Sequence, residues 1–118
     1  INKLCKEIIN DYSNMFKYIN HNMSLFDCTL LKYEKNNFYE THIDDHPSFH
    51  RSLSIIFNLN ENYKGGELSF TNPISESCDL KYNLNAGDII VFPSNFLYPH
   101  SILPITQGVR YSIIIWAN

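Results

Sequence analysis

Leu4, Ile8, Tyr12, Met15 and Ile19 recur at three- and four-residue steps, the stripe of an amphipathic helix. The spacing predicts a helix from residue 1 to about residue 20 that packs on the outside of a sheet and carries no chemistry. Beyond it the period changes. Short apolar runs bounded by Gly, Pro, Asn and Asp predict strands over residues 25–34, 38–44, 53–60, 67–71, 88–92 and 110–117. Gly65-Gly66 is expected to close a hairpin between the third and fourth of these, and Gly87-Asp88 to open the fifth. In the last strand Arg110, Ser112, Ile114 and Trp116 share one face, and Tyr111, Ile113, Ile115 and Ala117 the other. Both faces are apolar past Ser112, so this strand is expected at the centre of its sheet, with Arg110 ending a buried row. One helix followed by many short strands predicts a mainly β sandwich or jelly roll.

Composition narrows the class. The 118 residues suffice for one compact domain and are too few for two, so a single domain over 1–118 is expected. A hydrophobic content of 44% with eight Phe and eight Tyr can fill its core. A net charge of −3 leaves no basic footprint for nucleic acid, and no apolar run reaches the length that crosses a bilayer. Cys5, Cys28 and Cys78 are an odd number without metal-type spacing, which points to free thiols and a reducing, cytoplasmic compartment. The chain opens on Ile1 rather than Met, so a preceding segment, with any targeting signal, is expected to be missing. Nothing in the pattern sets an oligomeric state.

The candidate chemistry begins at His42-Ile43-Asp44. Residues i and i+2 of a strand point to the same side, so the imidazole and the carboxylate can face one pocket. A second imidazole from a distant segment, His100, completes a two-histidine, one-carboxylate set. That set on one face of a metal is associated with non-haem Fe(II) oxygenases. The same three groups can also hold zinc and leave a water, as in catalytic zinc sites. A lone His-x-Asp is a common triplet, and a pair of polar residues on a surface strand accounts for it equally well.

The flanking segments change the weighting. Tyr33 and Tyr39 lie upstream, then come Gly65-Gly66-Glu67-Leu68 and Leu84-Asn85-Ala86-Gly87-Asp88, which leads into Ile89-Ile90-Val91-Phe92-Pro93. His100, Gly108, Val109, Arg110, Tyr111 and Ser112 close the series. In this order and spacing, from about residue 30 to residue 116, the chain resembles the 2-oxoglutarate/Fe(II)-dependent dioxygenase superfamily, in its prolyl 4-hydroxylase-like branch. It departs at Asn36-Asn37, where the family often has glycine between the two tyrosines. Asn tolerates the left-handed conformation, so a similar turn remains available.

The resemblance implies a double-stranded β-helix, the jelly-roll, cupin-like core, over about residues 24–118, supported by a helical segment over about 1–22. It implies Fe(II) held by His42, Asp44 and His100, with 2-oxoglutarate and O₂ as co-substrates and ascorbate as an accessory reductant. Arg110 would receive the far carboxylate of 2-oxoglutarate, its planar fork matching that group bidentately, with Ser112 and Tyr33 adding hydroxyls and Asn58 and Leu68 lining the same pocket. The structural alternatives are an Arg110 paired to a protein carboxylate and a Tyr33 that is plain core. Tyr39, His46 and His50 would face substrate, against a reading of the two histidines as solvated loop residues. The segment 45–51 is expected to wall an open mouth, which favours a peptide or protein substrate. The implied reaction hydroxylates an unactivated C–H, at the family level a prolyl residue, with release of succinate and CO₂. A small-molecule or free amino-acid substrate, a zinc hydrolase, and a jelly-roll binding module without turnover are the alternatives.

Overall fold

The computed structural model of the chain describes residues 1–78 and 80–118. Among the described residues, helix α1 spans Asn2–Met15 and ten strands follow: β1 Leu25–Tyr33, β2 Tyr39–His42, β3 Leu53–Asn58, β4 Lys64–Gly65, β5 Leu68–Phe70, β6 Leu80–Tyr82, β7 Ile89–Pro93, β8 His100–Ile102, β9 Ile105–Gln107 and β10 Arg110–Ala117. They form two four-stranded sheets, ordered β1-β10-β3-β7 and β2-β8-β5-β6, with β4-β9 as a two-stranded annex. Every pairing is antiparallel. This is the expected jelly roll, and no helix among the described residues is long and apolar enough to cross a membrane.

Two apolar layers flank the first sheet. Leu53, Ile55 and Phe57 of β3 and Ile115 and Ala117 of β10 point outward and meet Cys5 and Ile9 of α1. Their alternates, Ile56 and Ile114, point inward to Tyr33, Leu68, Phe92, Ile102 and Ile105, between the sheets. All six residues of β3 are buried, which is why that strand reads as a nearly continuous apolar run.

The helix departs from expectation in phase and length. Its buried line is Cys5, Ile9 and Ser13, while Leu4 is 43% and Met15 75% exposed. The contact centres between two apolar rows, where the small Cys5 and Ser13 let the helix lie close to the sheet. The helix stops at Met15, as Phe16 turns extended. The Asn20 side chain then accepts the backbone N–H of Asn22, so the chain turns where a longer helix was expected. Ile19 still packs on the core as a loop residue.

Gly65-Gly66 closes no hairpin between β3 and β5, because those strands belong to different sheets. The chain instead crosses between layers, with Gly65 at φ +78° pressed against β9, where a Cβ would run into the Pro104 carbonyl oxygen. The Asn36 turn forms as expected: Asn36 takes φ +72°, and Glu34 N donates to Asn37 Oδ1 at 2.8 Å.

Candidate metal centre

His42 ends β2, His100 begins β8, and the two strands pair with these residues opposite each other. Asp44 lies two residues beyond the end of β2, so the i, i+2 rule describes the outcome but not the backbone that delivers it. After His42 the chain leaves its sheet, and Asp45 N donates to the Ser94 carbonyl beside the other one. Asp44 therefore sits between the layers, 6% exposed. Its Oδ1 lies 3.2 Å from His42 Nε2 and 3.4 Å from His100 Nε2. One ligand atom from each of the three residues falls within 4.8 Å of the others.

The remaining atoms of these groups have partners that set their roles. His42 Nδ1 donates to the Glu40 carbonyl at 2.7 Å and His100 Nδ1 to the Tyr98 carbonyl at 3.0 Å. A carbonyl oxygen only accepts, so each ring carries a proton on Nδ1; the neutral form then turns an Nε2 lone pair to the centre, while the doubly protonated form donates Nε2–H to Asp44 Oδ1. Asp44 Oδ2 accepts Ser54 Oγ–H at 2.5 Å and the Trp116 indole N–H at 3.1 Å. Burial pushes the Asp44 carboxyl up, but hydrogen bonds from His100, His42 and Ser54 outweigh it and hold the group far below the usual carboxylate range. Burial likewise pushes His42 down and is outweighed by Asp44 and the Glu40 carbonyl, so its pKa lies above the ordinary value. Two lone pairs and an ionised oxygen converging in a half-buried pocket form a donor set that suits a divalent cation.

A cavity of about 420 Å³ opens from these atoms and is also lined by Tyr33, Tyr39, His46, Arg51, Arg110, Ser112 and Trp116. Arg110 is only 1% exposed, and its Nε donates to Asn58 Oδ1 at 3.0 Å. Its Nη2 is buried with no hydrogen-bond partner. No carboxylate among the described residues pairs with it, which removes the structural alternative of a protein ion pair. A buried, half-satisfied guanidinium in the same cavity as the three donors is matched by an anionic ligand entering that cavity. Tyr33 lies opposite Arg110 across the strand pair, with the guanidinium 5.4 Å from its ring centre.

The other expected residues fall in different places. Ser112 lines the cavity. Asn58 and Leu68 do not. Asn58 is fully buried on the neighbouring strand β3, opposite Ser112, its amide nitrogen given to Tyr63 Oη and to backbone carbonyls and its oxygen to Arg110. Leu68, also fully buried, belongs to the core between the sheets. The Tyr39 ring lies 4.2 Å from that of His42. His46 stacks on Phe49 at the rim, while His50 lies outside the cavity lining with its Nδ1 3.5 Å from Asp45 Oδ1.

Three residues that pattern reading passed over also shape the site. Ser54 holds Asp44, Trp116 holds the same oxygen, and the Arg51 guanidinium carbon lies over the Trp116 ring, 3.7 Å from its centre, while its Nη1 donates to the Asp44 carbonyl at 3.0 Å. The signal for Ser54 was a polar residue inside an otherwise apolar central strand. Ser54 and Asn58, four apart on the inner face of β3, each grip one charged residue of the cavity.

Comparison with known proteins agrees with this geometry. Residues 28–118 match the family model of the 2OG-Fe(II) oxygenase superfamily, and the chain belongs to that family. It is 30% identical over 111 residues to a PKHD-type hydroxylase of Crocosphaera subtropica, covering 88% of this chain and 48% of that protein. The chain spans about half the length of the curated relatives it matches. The viral collagen prolyl hydroxylase of Paramecium Bursaria Chlorella virus-1, solved as a 2OG complex, shares the fold with TM-score 0.75 at 20% identity, over 99% of this chain and 71% of that one. A prolyl hydroxylase from Trichoplax adhaerens, in complex with a hypoxia inducible factor peptide fragment, does so with TM-score 0.69 at 23% identity, over 80% and 44%.

Proposed function

We propose that this chain forms the catalytic domain of an Fe(II)- and 2-oxoglutarate-dependent dioxygenase that hydroxylates a prolyl or other residue of a peptide or protein. The observation that carries the reading is Arg110, a buried guanidinium with a free Nη2, in the same cavity as His42, Asp44 and His100. Those three residues would hold the iron through two Nε2 atoms and Asp44 Oδ1. When bound, the iron supplies O₂ chemistry coupled to decarboxylation of 2-oxoglutarate to succinate and CO₂, and ascorbate would serve to keep it ferrous. A zinc hydrolase has no use for a cation waiting on an acid beside the metal.

The chain's own residues do the binding and orienting. Arg110 would receive the distal carboxylate through its fork, with Tyr33 and Ser112 beside it and Asn58 fixing the plane of the guanidinium. Leu68 supports that end from the core. Apolar walls from Leu31, Ile56, Ile102 and Ile114 exclude water from the cavity and strengthen these polar contacts. Asp45 Oδ1 accepts the backbone N–H groups of His46 and Arg51, so the segment 45–51 is a pinned wall. His46, Tyr39 and the exposed Phe38 and Phe49 would meet substrate there, with His50 bracing the loop through Asp45.

The open rim favours an extended peptide, and the Trichoplax prolyl hydroxylase that shares the fold, in complex with a peptide fragment, supports that class. Three free thiols support a reducing, cytoplasmic setting. A panel of proline-containing peptides and free amino acids, incubated with Fe(II), 2-oxoglutarate and ascorbate, tests the substrate. The expected result is a gain of one oxygen on a peptide, matched by succinate. Turnover of a free amino acid with none on any peptide would reverse the assignment.

A further inference from the structure

Asp44 has two oxygens, and they live in different surroundings. Oδ1 faces the two imidazoles, while Oδ2 accepts Ser54 Oγ–H and the Trp116 N–H. Both lone pairs of Oδ2 are thereby engaged. Ser54 Oγ in turn lies 2.8 Å from Ser94 Oγ. Ser54 has one proton and directs it at the carboxylate, so Ser94 must be the donor of the second bond. The order of donation is Ser94 to Ser54 to Asp44. Ser54 is fully buried and Ser94 is 1% exposed, so water does not compete for either hydroxyl. Two hydroxyls at positions where a sheet of this kind would bury apolar side chains are costly unless their hydrogen bonds are all made.

We propose that Ser54 and Ser94 form a positioning relay that holds Asp44 Oδ2 and so commits Asp44 to a metal through Oδ1 alone. The relay joins the layers of the sandwich: Asp44 follows β2, Ser54 sits on β3 and Ser94 follows β7. Each polarised hydroxyl strengthens the next bond, and the carboxylate is locked in rotation about its Cβ–Cγ axis. The Ser94 hydroxyl bonds Ser54, and its backbone carbonyl, which accepts Asp45 N–H, is untouched by a side-chain substitution, so the side chain acts only through Ser54. The inference rests on Asp44 being a metal ligand.

The test titrates Co(II) into the metal-free full chain and follows the visible absorption of the bound ion, together with thermal unfolding of the metal-free protein. Ser54→Ala is expected to weaken Co(II) binding by about 10–100-fold, the usual cost of losing a group that orients a ligand. Ser94→Ala is expected to weaken it by roughly fivefold, as for one lost hydrogen bond. In the Ser54→Ala background, Ser94→Ala is expected to change nothing further, because a relay has no other route to the metal. Parental Co(II) affinity in Ser54→Ala, or equal effects of Ser94→Ala in both backgrounds, overturns the relay. Asp44→Ala separates the two levels: if it binds Co(II) like the parent, the ligand assignment itself fails. Should Ser54→Ala lose cooperative unfolding, Ser94→Ala and Trp116→Phe decide the matter, and parental affinity in both overturns the proposal.

Discussion

Arg110→Ala is expected to separate co-substrate binding from metal binding. The guanidinium is 1% exposed, makes one side-chain hydrogen bond, to Asn58, and keeps a buried Nη2 without a partner. Its desolvation is thus incurred on folding, and an arriving carboxylate gains the attraction almost in full. Truncating one side of such a pair costs about 2–5 kcal/mol, or roughly 30- to 4,000-fold in affinity. The dry surroundings favour the upper half of that range. Stability should move less, because two effects oppose. Removing an unpaired buried charge relieves the fold, while Asn58 Oδ1 loses the shorter of its two donors and keeps Tyr63 Oη at 3.4 Å, at a cost of about 1–3 kcal/mol. Calorimetric titration of 2-oxoglutarate into protein loaded with Mn(II), a redox-inert substitute, reads the co-substrate affinity, and a separate metal titration reads the other. Arg110→Lys should recover only part of the loss, since it restores charge without the fork. Unaltered 2-oxoglutarate affinity in Arg110→Ala would refute the reasoning, as would an equal loss of metal affinity.

Ile115→Ala removes a side chain that is 2% exposed in the layer beneath α1, so it should cost about 2–5 kcal/mol in denaturant unfolding. Ile115 faces away from the cavity, and metal affinity in that variant should stay parental; a loss would mean that the helix side and the site are coupled. Asp45→Ala removes the acceptor shared by His46 N and Arg51 N. Hydrogen exchange at residues 46–51 should quicken and the KM for a peptide should rise with 2-oxoglutarate affinity unchanged, whereas unchanged exchange would show that the loop is held by something else.

Which parts of this molecule could be read from its sequence follows from the range of the forces that shape each one. β10 was legible to its ends, because it is apolar on both faces and opens on a charged residue that needs a partner. The pairing of His42 with Asp44 was legible in direction, though the strand stops at His42 and the carboxylate arrives from a crossing between sheets. β8 and β9 were invisible: each has three residues, and Leu103-Pro104 separates them, too short a pattern to show a period. The helix was legible as a helix but mis-phased, since Cys5 and Ser13 are small enough to be overlooked as the contact line. Asn58 was placed at the pocket because its strand points there, yet its role is to hold Arg110 from the neighbouring strand. Ser54, Ser94, Arg51 and Trp116 act through residues 7 to 72 positions distant in the chain, and no local periodicity reports such partners.

The most direct test of the central claim is succinate production from 2-oxoglutarate by the parent chain and by Asp44→Ala, with and without added Fe(II). The parent should form succinate only when Fe(II), 2-oxoglutarate and O₂ are all present, and Asp44→Ala, lacking the only anionic ligand, should form none while keeping its fold by circular dichroism. Succinate formed by Asp44→Ala at the parental rate, or by the parent without iron, would contradict it.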